Sequence, residues 1–202
     1  MPLTDILTLL VFLFPLAYSP GPGNLFFAAN GARFGFGAMI SASLGYHLAT
    51  WGVTCAIGLG FHEAATVHPR LADAIRLIGS AYVLWLAISF LRAGSASATD
   101  PPAPVRIPGF NAGAVLLLFN PKAYVIIALM FSQFQGADRD ISTGTLPITT
   151  VFTLNNLVAF SLYTLAGDQL GRRLRSERDT RGLNVFFGLV LGMVAVWMAV
   201  AR

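Results

Sequence analysis

Charge is what this 202-residue chain lacks most. Only 11% of its residues are Asp, Glu, Lys or Arg, against about 25% in an ordinary soluble domain. Thirteen basic and nine acidic residues cannot coat a globular surface, while 55% of the chain is hydrophobic and the mean hydropathy is +0.69. A soluble form is thereby excluded. Lysine is scarcer still, for Lys122 is the only one. The single cysteine, Cys55, lies inside an apolar run, so no intrachain disulfide can form and the redox compartment is not indicated. In a soluble protein, a net charge of +4 and a pI near 9.7 would suggest nucleic acid. Here the basic residues fall between apolar runs, so topology accounts for them and no nucleic-acid partner is expected. The first five residues carry no Lys or Arg, and the run behind them holds Pro15, Pro20 and Pro22 without a clear cleavage site. That is not the pattern of a signal peptide.

What is present is a series of long uncharged runs. A helix needs roughly 20 apolar residues to cross the hydrocarbon core, and the runs place spans at about 6–29, 38–60, 71–91, 110–134, 144–167 and 183–201. Backbone groups in lipid must be bonded within the segment, so these are helices, and the absence of alternating polarity argues against a β-barrel. The fold class is all-α, a polytopic bundle of about six transmembrane helices in the lipid bilayer. A polar, proline-rich linker at 95–108 divides a first three-helix repeat, 1–94, from a second, 109–202. A second polar stretch, 172–181, separates spans five and six. The first, third and fifth loops hold Arg33, Arg92, Arg106, Arg172, Arg173, Arg175, Arg178 and Arg181, whereas the other side holds Arg70, Arg76, Arg139 and Arg202. The positive-inside rule puts the richer set in the cytoplasm and both termini outside it.

The two halves share a faint pattern. Ser19-Pro20-Gly21-Pro22-Gly23-Asn24 interrupts the first span, and Asn120-Pro121-Lys122 interrupts the fourth, about half the chain later. The run from Gly79 to Trp85 likewise matches that from Gly188 to Trp197. Three crossings per half is an odd number, so the halves would be inverted repeats with broken first and fourth helices. Broken helices at matching places in such repeats are the best sequence pointer to a transporter's binding site.

Candidate residues follow from cost. Two prolines and two glycines within residues 20–23 cannot continue a helix. The break must therefore face protein or a wet cavity. A half-helix starting near Pro22 would turn its positive end toward a carboxylate. Lys122 falls near mid-depth, where a charge costs roughly 2.5–3.5 kcal/mol on insertion scales and is by default functional. The alternative is that Lys122 snorkels to the surface. Ser19, Pro20, Gly21, Pro22, Gly23, Asn24, Asn120, Pro121 and Lys122 are thus candidate substrate-binding residues. Asn155 and Asn156, amides in mid-span, join them as substrate contacts or as helix-to-helix ties. Lys122 and His47 are candidate proton carriers, since burial makes a lysine's charge depend on a nearby anion. His47 and Cys55 make a poor metal pair without a third ligand, so no metal site or cofactor is expected. Small residues recur four apart at Gly31/Gly35, Gly37/Ser41/Gly45/Ala49, Gly52/Ala56/Gly60 and Gly188/Gly192, a spacing suited to close helix packing within the bundle or at a homodimer face. A membrane-embedded enzyme would need clustered acids, histidines or a placed nucleophile, which spans two to six lack.

Residues 19–24, together with Gly31 to Gly37, Gly79 to Leu86 and Phe119 to Ala123, resemble the LysE/RhtB family of amino-acid exporters over nearly the whole chain. The resemblance implies a multi-pass protein of the bacterial inner membrane. It implies a secondary exporter of an amino acid or small derivative, driven by the ion gradient, with inverted three-helix halves, and no enzyme. Export of another small solute or a metal ion is the alternative within the same superfamily. One departure stands out. The family pattern places a polar residue after Pro-Gly-Pro, where this chain has Gly23 and brings Asn24 one position later. Few acidic residues lie within the spans, so a neutral amino acid fits better than lysine or arginine.

Overall fold

The chain's structure, a computed structural model, describes residues 1–64, 69–95, 106–134, 144–173 and 177–200. Among these are eight α-helices: α1 Leu3–Tyr18, α2 Pro22–Phe34, α3 Ile40–Ala64, α4 Pro69–Ser95, α5 Phe110–Leu118, α6 Pro121–Phe134, α7 Leu146–Arg173 and α8 Glu177–Val200. A short 3₁₀ turn, Gly37–Met39, leads into α3. The fold is all-α, that of a polytopic membrane protein.

The first and fourth expected spans are each a bent pair. α1 and α2 meet at 64°, and α5 and α6 at 63°. Each pair passes as one broken span by length and hydropathy, and α7 passes alone. α3, α4 and α8 have 25, 27 and 24 residues, enough at about 1.5 Å per residue to cross roughly 30 Å. They are less apolar. α3 is diluted by glycine, serine, threonine and His47, and the apolar described stretches of α4 and α8 are Ser80–Arg92 and Arg181–Val196. Most of the expected polar loop at 172–181 is helical, because α7 runs on to Arg173 and α8 begins at Glu177. Of the linker, residues 96–105 lie outside the described residues.

The main packings are α2 on α7, α3 on α5 and α4 on α8. Glycines allow the first two to touch backbone to backbone. A Cβ on Gly167 would overlap the carbonyl oxygen of Ala28, and one on Gly171 that of Ala32. One on Gly45 would overlap the carbonyl oxygen of Phe110, and one on Gly113 that of Ala42. Each of these contacts sits toward the same end of the bundle, where loops one, three and five emerge. There Gly35 takes φ 83°, a conformation that favours glycine. The turn it makes lets the Phe36 N–H donate to Asp168 Oδ2 at 3.2 Å. Arg172 holds the same carboxylate in a two-pronged pair, its Nε 2.7 Å from Oδ1. Asp168 thus ties the first loop to the end of α7.

The buried hydrophobics form two clusters. One, around Phe26, Phe27, Tyr46 and Phe160, fills the glycine-packed end. The other, with Leu9, Leu13, Ile127, Met130 and Phe152, joins α1, α6 and α7 toward the opposite end. Residues flanking both helix breaks, Ala17 and Leu25, Leu117 and Ala123, belong to the first.

The glycine contacts yield a test. Gly45→Val or Gly167→Val forces side-chain atoms against backbone, and overpacking of this kind costs about 1–3 kcal/mol. Gly37 meets nothing within 4 Å, so Gly37→Val should stay within about 0.5 kcal/mol of wild type. Thermal melting of the three purified variants in detergent is the measurement.

Candidate functional site

Pro22 explains where the first break ends. Proline suits the first helical position, whose N–H is unbonded in any case, and Gly21 is the extended residue before it. Only Ser19, Pro20 and Gly21 are non-helical, so Gly23 and Asn24 already belong to α2. The break is narrower than its prolines and glycines suggest.

Ending α1 in apolar surroundings leaves carbonyls that must be bonded. Four consecutive ones are taken by side chains. The Ser19 hydroxyl donates to Leu16 at 3.1 Å, Asn24 Nδ2 to Ala17 at 3.1 Å, and the Tyr163 hydroxyl to Tyr18 at 2.9 Å. Lys122 Nζ donates to the Ser19 carbonyl at 2.5 Å and to its hydroxyl at 3.0 Å. In the second break, Tyr124 donates to the Leu118 carbonyl at 3.0 Å, and the Asn120 N–H to Leu117 at 2.9 Å. Of the two expected surroundings, protein or a wet cavity, these carbonyls meet protein.

The two breaks meet. Lys122, the second residue of α6, lies across Gly21 so closely that a Cβ there would come 2.8 Å from its Cδ. Next to this contact is a crevice lined by Asn24, Tyr46, Asn120, Lys122 and Asn156, with Phe152 and Phe160 as apolar walls. Its free space is about 10 Å³, room for one water at most and far too little for an amino acid. Asn120 Nδ2 donates to the Tyr46 hydroxyl at 3.0 Å, while its Oδ1 is buried without a partner. The rings of Tyr46 and Phe160, 4.6 Å apart between centroids, stand side by side in the lining, and Phe27 packs edge-on against both.

The remaining expected residues divide. Asn156 faces the crevice, but Asn155, one position earlier, does not, and its Nδ2 is buried without a partner. His47 sits behind Tyr46, its ring 5.5 Å from that of Phe160 and outside the crevice lining. Tyr124, Tyr163 and Phe160 were not legible as site residues. Their signal, an aromatic side chain within an apolar helix, does not distinguish a capping hydroxyl or a cavity wall from core.

Among the described residues, eight helices with two breaks that meet beside a narrow crevice make up a polytopic all-α protein. A family model, LysE type translocator, matches residues 14–202. The chain belongs to the LysE type translocator family. It is 33% identical to a membrane protein of Vibrio cholerae over 99% of this chain and 97% of that one. The homoserine/homoserine lactone efflux protein of Salmonella typhimurium is 26% identical over 93% of this chain and 92% of its own. The cysteine/O-acetylserine efflux protein of the same organism is 26% identical over 89% and 90%. No solved structure matches the chain.

Gly23 has a reason in this geometry. A Cβ there would stand 2.8 Å from the Phe160 ring and 3.3 Å from the Tyr46 hydroxyl, so Phe160 fills the space that a polar side chain would need. Gly23→Ala should lower stability in detergent by about 1–3 kcal/mol through overpacking. Adding Phe160→Leu, which makes room, should restore part of that loss in a double-mutant cycle. Simple additivity of the two changes would separate Gly23 from Phe160.

Proposed function

We propose that the protein exports a small neutral amino acid or amino-acid derivative from the cytoplasm, and that the crevice at the two helix breaks is its binding site. The observation that carries this is the meeting of the breaks through Lys122 and Ser19, beside a crevice lined by three asparagines. A zwitterion needs a cation and N–H donors at one end and acceptors at the other. Lys122 and the starts of α2 and α6 offer the first, and Asn120 Oδ1 the second. In the closed crevice, the Ser19 carbonyl and hydroxyl take the place of the substrate carboxylate. An arriving carboxylate would draw Lys122 away from Ser19 and let the breaks part. The efflux relatives, named for homoserine and for cysteine or O-acetylserine, support a neutral amino acid over a basic one.

Coupling to the proton gradient is part of the same reading. Lys122 would hold its proton while the carboxylate is bound and release it afterwards, and His47 is the second candidate. The chain would sit in the bacterial inner membrane as two inverted repeats, 1–94 and 109–202, joined by a cytoplasmic linker, with both termini outside. Gly52 and Gly60 meet nothing within 4 Å, which leaves a face where a second copy could pack as a homodimer.

Transport in inverted vesicles with a panel of labelled amino acids, with and without a proton gradient, tests the reading. Hydrogen bonds to a charged group are worth about 1.5–3 kcal/mol, so Lys122→Ala and Lys122→Gln should slow transport by about tenfold or more. Lys122→Arg should also be impaired, because guanidinium stays protonated and cannot switch. An arginine variant with wild-type rate and pH dependence would reduce Lys122 to a fixed charge. Orientation has its own check: an alkaline phosphatase fused after Arg202 should be active, and one fused near Ser176 inactive.

A further inference from the structure

The seam between α3 and α7 carries polar groups of which the crevice uses only Asn156. His47, Thr50 and Thr54 stand on α3, and Asn156, Thr153 and Thr149 on α7, each at most 9% exposed. Their spacing of three and four residues puts each trio on one helix face. The register between the helices follows from three contacts. His47 lies against the backbone of Asn156. The Trp51 indole N–H donates to the Thr150 hydroxyl at 3.3 Å. A Cβ on Gly58 would lie 2.7 Å from Thr145 Cγ2. Numbers rise along α3 as they fall along α7, so Thr50 is level with Thr153 and Thr54 with Thr149.

These groups are oddly bare. A helical threonine in apolar surroundings ordinarily turns its hydroxyl to the carbonyl four residues back. Thr50 does so to Tyr46 and Thr164 to Phe160, both at 2.8 Å. The hydroxyls of Thr54, Thr149 and Thr153 are buried with no partner at all. His47 Nδ1 lies 2.7 Å from the Ser43 carbonyl. A carbonyl only accepts, so Nδ1 carries the proton and Nε2 of the neutral ring is an unused acceptor. Valine would fill the space of each threonine without burying a bare hydroxyl. Four such groups along one seam point to a partner that comes and goes.

We propose that the α3/α7 seam is the second half of the transport passage, leading from the crevice to the end of the bundle away from residues 172–181. When the helices part, its hydroxyls and His47 Nε2 replace the hydration of a small hydrogen-bonding solute. The seam starts where the crevice stops, since Asn156 belongs to both and Tyr46 lines the crevice next to His47. It runs away from the glycine-packed end, where backbones touch, toward contacts made by side chains, Phe131 and Thr145 against Gly58. The assignment rests on the export reading, but its first test needs no substrate.

In a Cys55→Ala background, single cysteines replace Thr54, Thr149 and Thr153, and a control replaces Leu154, which is 56% exposed on the outer side of α7. Intact cells are treated with a charged, membrane-impermeant methanethiosulfonate. Only a hydrated thiol ionises to the reactive thiolate, so the three seam cysteines should react at least about tenfold faster than Leu154→Cys. The second arm is the Thr149→Val, Thr153→Val double variant. It should melt at a higher temperature than wild type and transport about tenfold more slowly, because the bare hydroxyls are gone. Seam cysteines as slow as the control overturn the passage, and so does a valine variant that transports at the wild-type rate. A wild-type chain that moves no amino acid overturns the export reading instead, and the labelling then decides the passage alone.

Discussion

Everything in this bundle is arranged around one constraint: in an apolar medium, no backbone carbonyl can be left without a donor. The chain breaks two helices where water is scarce, and each break creates several such carbonyls. At the first, four successive carbonyls find four side chains, and those side chains come from three separate helices and from the break itself. Asn24 reaches back from α2, Tyr163 across from α7 and Lys122 over from α6. Satisfying the break therefore assembles the bundle. It also gives the partly buried ammonium of Lys122 its partners, a carbonyl and a hydroxyl rather than a carboxylate.

That constraint makes the breaks both rigid and exchangeable. Each carbonyl bond is local and polar, so a ligand that offers an equivalent group can replace the protein's own. The Lys122 contact with Ser19 is such a bond, between one half of the chain and the other. By contrast, the glycine contacts of α2 with α7 and α3 with α5 are backbone against backbone, with no side chain to rearrange. One end of the molecule is thus tied by Asp168 and Arg172, and toward the other the contacts are made by side chains. The bare hydroxyls of Thr54, Thr149 and Thr153 lie on that side-chain-packed side of the crevice.

Much of the fold was legible because its signals are one-dimensional. Apolar runs set the spans, and Phe110–Phe134 appears as α5 and α6 within the expected bounds. Proline and glycine marked both breaks, since the missing N–H of Pro22 and Pro121 acts whatever surrounds them. The 172–181 stretch does separate the fifth and sixth spans, but α7 runs into it to Arg173 and α8 begins within it at Glu177, because polarity marks where a helix leaves the apolar layer and not where its backbone ends. Asp168 gave no warning either: its role depends on the Phe36 N–H, 132 positions away in sequence.

By itself, the sequence determined the membrane environment, the helical backbone and the two places where that backbone had to break, because burial cost and proline geometry are local properties. Only the tertiary structure decided what the breaks meet. It brought Lys122 onto Ser19 and turned Asn156 into the crevice while turning Asn155 away. It also placed Phe160 where a side chain at Gly23 would stand. Neighbouring asparagines on one helix are alike in sequence and differ by about 100° around its axis. Which of them meets the opposite break is set by how α7 packs against α2 and α3.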